Sequence, residues 1–311
     1  MKTRVITGLI FTVVIAGFVI PGYLFPQLPL LLFFLVAAIC IVEISTLVKS
    51  KLVHLNQAMC VIGSLLVFTP LITVLLHGDL NWRLIVDSAL TSPNKLSSER
   101  AIIIRYVTES ISFLFLFLII FAYITIFYFI IKKGPSVFLD AVSMSLIVFY
   151  VIVSIVCGIM ILYFIPNGYL WMLAAMVSSW VSDVFSYFTG VTLGKHKIVP
   201  LISPKKTWEG SIGGILGSIF VMVIWFLLMM NGPDIVEKSV VYRLSFGVIL
   251  GLLASILSQS GDWFASAIKR WGHAKDFGSF LPGHGGLMDR FDGVFFTFPV
   301  ILIAALVYYL I

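Results

Sequence analysis

The 311 residues are 60% hydrophobic, only 11% charged, and have a mean hydropathy of +1.12. A soluble domain carries about 25% charged residues, and a water-soluble fold of this length has no way to hide so much apolar surface. The formal charge of +6 would suggest nucleic acid in a soluble chain; in one this oily it reflects loops that collect Lys and Arg on the cytoplasmic side of a membrane.

Apolar runs of roughly 20 residues are long enough to cross a bilayer as helices. They predict spans over residues 5–20, 28–48, 55–76, 108–131, 138–164, 168–190, 210–230, 243–268 and 290–311. Strand-sized alternation of the β-barrel kind is absent. The expected fold class is an all-α polytopic integral membrane protein with about nine transmembrane helices. The first run, behind Lys2 and Arg4, resembles a signal peptide but lacks an A-x-A cleavage site, so it is read as an uncleaved span. With this count, fourteen of the 20 Lys and Arg fall on the side of the N-terminus. The richer side is cytoplasmic, which places the N-terminus and the loops 191–209 and 269–289 in the cytosol. The polar segment 77–107 reads as an extracytoplasmic loop without evident chemistry. Lys49, Lys51, Lys132 and Lys133 read as charge bias or as attraction to anionic headgroups. Cys40, Cys60 and Cys157 lie inside apolar runs, fit no zinc or disulfide spacing, and read as small buried hydrophobes. Residues 1–165 are thus expected to be N-terminal transmembrane helices, and 166–311 the region that carries chemistry.

Two of the predicted helices in the second region carry polar stripes. Ser179, Ser182, Asp183, Ser186, Tyr187 and Gly190 recur at steps of three and four and so share one face. Ser255, Ser258, Gln259, Asp262, Ser266 and Lys269 do the same. A lone carboxylate in hydrocarbon costs roughly 2.5–3.5 kcal/mol even on the lenient insertion scale. Asp183 and Asp262 therefore need a cation, a proton or a watery cavity, in a structural ion pair or in a site. Gly210, Gly214 and Ser218, with Gly213 and Gly217, and Gly247 and Gly251, have the four-residue spacing that lets helices approach closely.

Each stripe runs into a basic loop. The first loop, "GKHKIVPLISPKKTWEGS", offers Lys205 and Lys206, with Ser203-Pro204 and Thr207 both suited to start helices. The second holds Lys269, Arg270, Lys275 and Arg290 among Asp276, Asp289 and Asp292, with Gly283, Gly285 and Gly286 around His284. Carboxylates beside cations suit magnesium and a phosphate-rich ligand. Glycines let backbone amides approach an anion. With no Cys in the cluster, zinc and redox metals are disfavoured. Two such loops on one face imply one composite site.

The run from Ser266 to Asp292, "SAIKRWGHAKDFGSFLPGHGGLMDRFD", resembles the signature of the phosphatidate cytidylyltransferase (CDP-diacylglycerol synthase) family. Lys269-Arg270, Lys275-Asp276, His284-Gly285-Gly286 and Asp289-Arg290-x-Asp292 stand at the family's gaps, without departure. "SDVFSYFTGVTLGKHKIVPLISPKKTWEGSIGG" is similar too, so the likeness covers about residues 170–311. The amino-terminal half is similar only in its apolar spans. The resemblance implies the reaction CTP + phosphatidate → CDP-diacylglycerol + pyrophosphate. It implies magnesium as one ion or two, membrane lipid as the setting, and a multi-pass protein of the cell (inner or plasma) membrane with its active site toward the cytosol. A homodimer is an expectation from the family alone; nucleic acid is not a partner.

Carried over onto these positions, Asp262 and Asp289 are metal ligands and Asp292 a further or alternative one. Lys205, Lys206, Lys269, Arg270, Lys275 and Arg290 are phosphate contacts. His284 contacts a phosphate, helps pyrophosphate leave, or is structural. Asp183 completes the metal site or orients a lysine, and Ser266, Asp276, Gly285 and Gly286 complete the substrate-binding set. Two rival readings stay open: a CTP-using polyprenol kinase, and a transporter with Asp183 and Asp262 as an ion relay. The missing D-G-x-x-A-R motif argues against a CDP-alcohol phosphatidyltransferase.

Overall fold

The computed structural model describes residues 13–15, 17, 18, 27–76, 96–230, 238–282 and 285–310. The helices are α1 Gln27–Val48, α2 Gln57–Gly63, α3 Thr69–Leu76, α4 Leu96–Lys133, α5 Phe138–Phe164, α6 Gly168–Thr192, α7 Trp208–Leu228, α8 Val240–Trp271 and α9 Met288–Leu310. Short 3-10 turns at Ser64–Phe68 and Pro135–Val137 join them, and no named strand occurs among the described residues. The chain is all-α. Six helical segments among the described residues are long and apolar enough to cross a membrane: Leu28–Val48, Ala101–Lys133, Pro135–Phe164, Trp208–Leu228, Val240–Trp271 and Met288–Tyr309. This is a multi-pass membrane protein.

The spans expected from the sequence divide in an instructive way. The first, over 5–20, falls mostly outside the described residues, and the polar segment from 77 to 95 falls wholly outside them. The run over 55–76 is not one helix but α2, a 3-10 turn and α3. Pro70 has no N–H to give to the Leu66 carbonyl, so that carbonyl is taken by Thr69 N–H one residue earlier, which tightens the helix. The run over 168–190 is a continuous helix of 25 residues, α6, but its polar stripe keeps it off the apolar set. The three cysteines are buried and form no disulfide, as expected.

The contacts divide the chain into two compact units: Met1–Ile72 with Ser110–Val156 and Ile268–Phe291, and Thr73–Glu109 with Cys157–Ala267 and Asp292–Ile311. In the first unit, Asn56 caps α2 by accepting from Ala58 N (3.0 Å), and Gln57 donates to Thr46 Oγ1 of α1 (2.6 Å). Gly63 lies so close to Val148 of α5 that a Cβ there would stand 2.8 Å from its methyl.

In the second unit, α6 and α7 pack along each other through the glycine rows read from the sequence. A Cβ on Gly214 would overlap Ser186 Oγ. A Cβ on Gly251 of α8 would stand 2.6 Å from Ile219 Cα of α7, a backbone atom that has nowhere to move. The same unit holds an aromatic core of Trp171, Phe226, Phe246 and Tyr308. The Trp171 centroid lies 5.5 Å from those of Phe226 and Tyr308, and Phe226 lies 5.1 Å from Phe246. Trp171 Nε1 donates to Tyr309 Oη (3.4 Å), which donates to Pro166 O (2.9 Å), so the indole and phenol stay satisfied while buried. Twelve residues, about 18 Å of helix, separate Trp171 from Asp183 along α6. The aromatic core therefore fixes one end of α6 and leaves the other for chemistry.

Replacing Gly251 by Ala is expected to destabilise the folded protein by about 1–3 kcal/mol, the usual cost of overpacking. Thermal unfolding in detergent checks this.

Candidate active site

Where the two polar stripes meet, four serines cross. Ser179 Oγ lies 2.7 Å from Ser258 Oγ, and Ser182 Oγ lies 2.7 Å from Ser255 Oγ. Gln259 donates to Ser255 Oγ and to Ser211 O of α7, at 3.1 Å each, and accepts from Ser211 Oγ. The stripes thus satisfy one another inside the bundle, where an unpaired hydroxyl costs about 1–3 kcal/mol.

Beyond the crossing the helices part around a cavity of about 340 Å³, lined among others by Asp183, Ser186, Lys205, Lys206, Asp262 and Trp263. Asp262 pairs with Lys206 through Oδ2 and accepts from Ser266 Oγ through Oδ1 (3.3 Å). Its side chain is 26% exposed, and that of Lys206 27%. The pair is therefore open to a ligand rather than sealed. Ser186 Oγ and Trp263 Nε1 are buried and meet no hydrogen-bond partner.

The loop that presents Lys205 and Lys206 is held by its own hydrogen bonds. Trp208 N donates to His196 O (2.9 Å) and Ile198 N to Lys206 O (3.2 Å), closing the stretch into a small hairpin. Glu209, in the first turn of α7, accepts from Lys195 N (3.1 Å) and His196 N (3.3 Å), and its other oxygen lies 2.7 Å from His196 Nδ1. Thr207 caps α7 by accepting from Gly210 N (3.2 Å), as its sequence position suggests. Ser203-Pro204 does not begin a helix. It forms a turn in which Lys206 N donates to Ser203 O (3.2 Å), because too few residues separate it from the Thr207 cap.

The first unit holds a second polar cluster. Lys269 Nζ donates to Asp289 Oδ1 (2.7 Å), with side chains 11% and 6% exposed. Asp289 Oδ2 accepts from Phe277 N and Gly286 N, at 2.9 Å each. Both acceptor positions of Oδ2 are therefore filled, and Oδ1 keeps one. Gly285 turns at φ +82° beside it, where a Cβ would stand 2.9 Å from Asp289 Oδ2. Arg270 Nη1 donates to Ala274 O (3.0 Å), closing the end of α8. Lys275, Asp276 and Arg290 are exposed and Asp292 is half-buried.

The structure brings Asp183, Lys205, Lys206 and Asp262 to one cavity, with Ser266 on Asp262. It gathers Lys269, Gly285, Gly286 and Asp289 into the other cluster. His284 and Gly283 lie outside the described residues. Reading the sequence missed Glu209, Ser211 and Glu43. Glu43 stands alone in an apolar run, and that isolation was the available signal.

A hard divalent cation fits the donor set at the cavity. Asp262 and Asp183 offer carboxylate oxygen, and no thiol or imidazole lines it. Among the described residues no three His, Cys, Asp or Glu side chains are grouped to hold a metal ion. Magnesium does not require such a cage, since it uses one or two carboxylates and completes its shell with water and substrate phosphates.

Breaking the buried pair by Lys269→Met is expected to cost about 3–5 kcal/mol, because Asp289 is left charged without a cation. Lys269→Met with Asp289→Asn together should cost less than Lys269→Met alone. Unfolding of the parent and both variants in one detergent tests this coupling.

Residues 2–308 match the model of the cytidylyltransferase family. The chain is 37% identical over 200 residues to a phosphatidate cytidylyltransferase of Thermotoga maritima, covering 62% of this chain and 67% of that protein. Proteins of the same description from Staphylococcus haemolyticus and Staphylococcus aureus are 34% and 35% identical over 189 residues, covering 59% of this chain and 66% of each. The chain thus spans about two thirds of the length of these curated relatives. With a match that runs over nearly its whole length, the chain belongs to the cytidylyltransferase family.

Proposed function

We propose that this protein transfers the cytidylyl group of CTP to phosphatidate, forming CDP-diacylglycerol and releasing pyrophosphate for phospholipid synthesis. The observation that carries this reading is the open Asp262–Lys206 pair in a cavity shared with Lys205 and Asp183, in a chain of this family. An oxygen of the phosphatidate phosphate attacks the α-phosphorus of CTP. The bond from that phosphorus to the oxygen bridging to the β-phosphorus breaks, and pyrophosphate leaves with the electron pair. The phosphate monoester is already a nucleophile near neutral pH, so no Ser or Cys nucleophile is needed. What both anions need is positioning and charge neutralisation. Lys205 and Lys206 meet phosphoryl oxygens, Lys206 turning from Asp262 to do so. Lys269, Arg270, Lys275 and Arg290 serve the same end, with His284 at the leaving pyrophosphate and Asp276, Gly285 and Gly286 in the substrate-binding set. Magnesium, as one ion or two, would be held by Asp262, Asp289 and Asp292 and would supply further neutralisation of the phosphates.

The reading includes a topology of nine spans with the N-terminus cytoplasmic, the catalytic region 166–311 opening to the cytosolic face of the cell membrane, and a homodimer as the assembly. Trp208 and Trp271, 55% and 46% exposed, then mark the bilayer boundary where the lipid enters sideways.

Purified protein given phosphatidate, magnesium and CTP labelled at the α-phosphate is expected to put label into the lipid. Label entering only from the γ-phosphate would indicate the kinase instead. Asp262→Asn and Lys206→Met should each lower kcat by about 10²–10³-fold, the usual cost of one electrostatic group, in protein that still folds.

The topology has its own check. Leu201 is 95% exposed and the three native cysteines are buried. Leu201→Cys should react with a membrane-impermeant maleimide in inverted vesicles and stay unlabelled in right-side-out ones.

A further inference from the structure

Glu43 is an acidic residue inside the apolar helix α1, and only 8% of it is exposed. Its carboxylate accepts from two backbone amides far away in sequence. Leu287 N reaches Oε1 (2.9 Å) and Met288 N reaches Oε2 (2.8 Å). Those amides open α9, whose first N–H groups have no partner within their own helix. Glu43 thus caps the last helix from the other end of the chain, a role that normally falls to the residue just before a helix.

The seat is closely fitted. A Cβ on Gly286 would stand 2.6 Å from Glu43 Oε2, and one on Gly278 would stand 3.0 Å from Oε1. The bare backbone at those two positions makes room for the carboxylate. The same backbone also serves Asp289, which accepts from Phe277 N and Gly286 N. Gly278 follows Phe277, and Leu287 follows Gly286. Each amide that Asp289 holds is therefore next to a residue packed on, or bonded to, Glu43.

We infer that Glu43 is a positioning residue for the proposed reaction. By gripping the start of α9 and both glycines, it sets the angle of the Asp289 carboxylate and hence of the Lys269 ammonium bound to it. Glu43 itself touches no substrate. The inference rests on the proposed role of Asp289 and Lys269 in cytidylyl transfer.

Glu43→Gln is the central test. It keeps the shape and one acceptor oxygen but turns an NH2 group toward the second amide. The expected result is a kcat lower by about 10–100-fold, the range seen when a supporting partner of a site residue is lost, with KM for CTP changed far less and a melting temperature close to that of the parent. Hydrogen exchange should speed up at Leu287 and Met288, and also at Phe277 and Gly286, which Glu43 does not bond. Gly278→Ala, whose Cβ would stand 3.0 Å from Glu43 Oε1, pushes on the carboxylate and should reproduce the loss of kcat with Glu43 intact. Asp289→Asn is run in parallel. If it is inactive while Glu43→Gln turns over normally, the positioning role is overturned. Unchanged exchange at Phe277 and Gly286 would overturn it as well, as would global unfolding of both Glu43→Gln and Gly278→Ala, which would assign Glu43 to stability alone. If Asp289→Asn keeps its full rate, the proposed site is what fails, and the exchange data alone then decide whether Glu43 sets the Asp289 loop.

Discussion

A carboxylate held among apolar helices needs nearby groups to replace the water it has lost. Three acids here find those groups in three ways. Asp262 takes an ammonium from Lys206 and a hydroxyl from Ser266. Asp289 takes an ammonium from Lys269 and two amides. Glu43 takes two amides alone. The solutions leave different amounts unspent. Asp262 is a quarter exposed and its second oxygen meets only a 3.3 Å hydroxyl, so it has capacity for a ligand. Asp289 is nearly sealed, with one acceptor position left on Oδ1, and is as much a joint of the scaffold as a reagent.

That division depends on backbone packing. The cavity around Asp262 exists because the helices are pressed together elsewhere. Gly214 and Gly251 bring α7 against α6 and α8, and the Trp171 core closes the opposite end. Between them the four crossed serines set the spacing. Hydroxyl pairs suit this job in lipid. They satisfy each other and hold two helices at hydrogen-bond distance, where purely apolar faces would slide.

Much of this was legible in the sequence, for identifiable reasons. A polar stripe at steps of three and four has to face something polar, so the two striped helices were readable from periodicity; that their serines pair with one another was not. The glycine rows announced close helix contacts in the same way. Local patterns also carried the Thr207 cap. What escaped notice was set by distance along the chain. Nothing near Glu43 points to Leu287 and Met288, some 244 residues on. Nothing in the spacing of Lys206 and Asp262 chooses that partnership over Lys205. The break at 64–70 was visible as Pro70, but hydropathy alone smoothed it into a single span. Ser203-Pro204 misled because a good helix start needs room to propagate, and the next cap stands four residues away.

The proposed chemistry explains why lysines, rather than arginines, neutralise both carboxylates. An ammonium is a compact charge on a flexible stem, and it can exchange one oxygen for another by rotation about single bonds. A guanidinium locked in a two-pronged grip on Asp262 would hold the carboxylate shut. In the proposed reaction the Lys206 ammonium that pairs with Asp262 would also meet a substrate phosphate, leaving the carboxylate to a cation. One side chain would then serve both ends: it offsets the cost of burying Asp262, and it would neutralise the phosphate that takes its place.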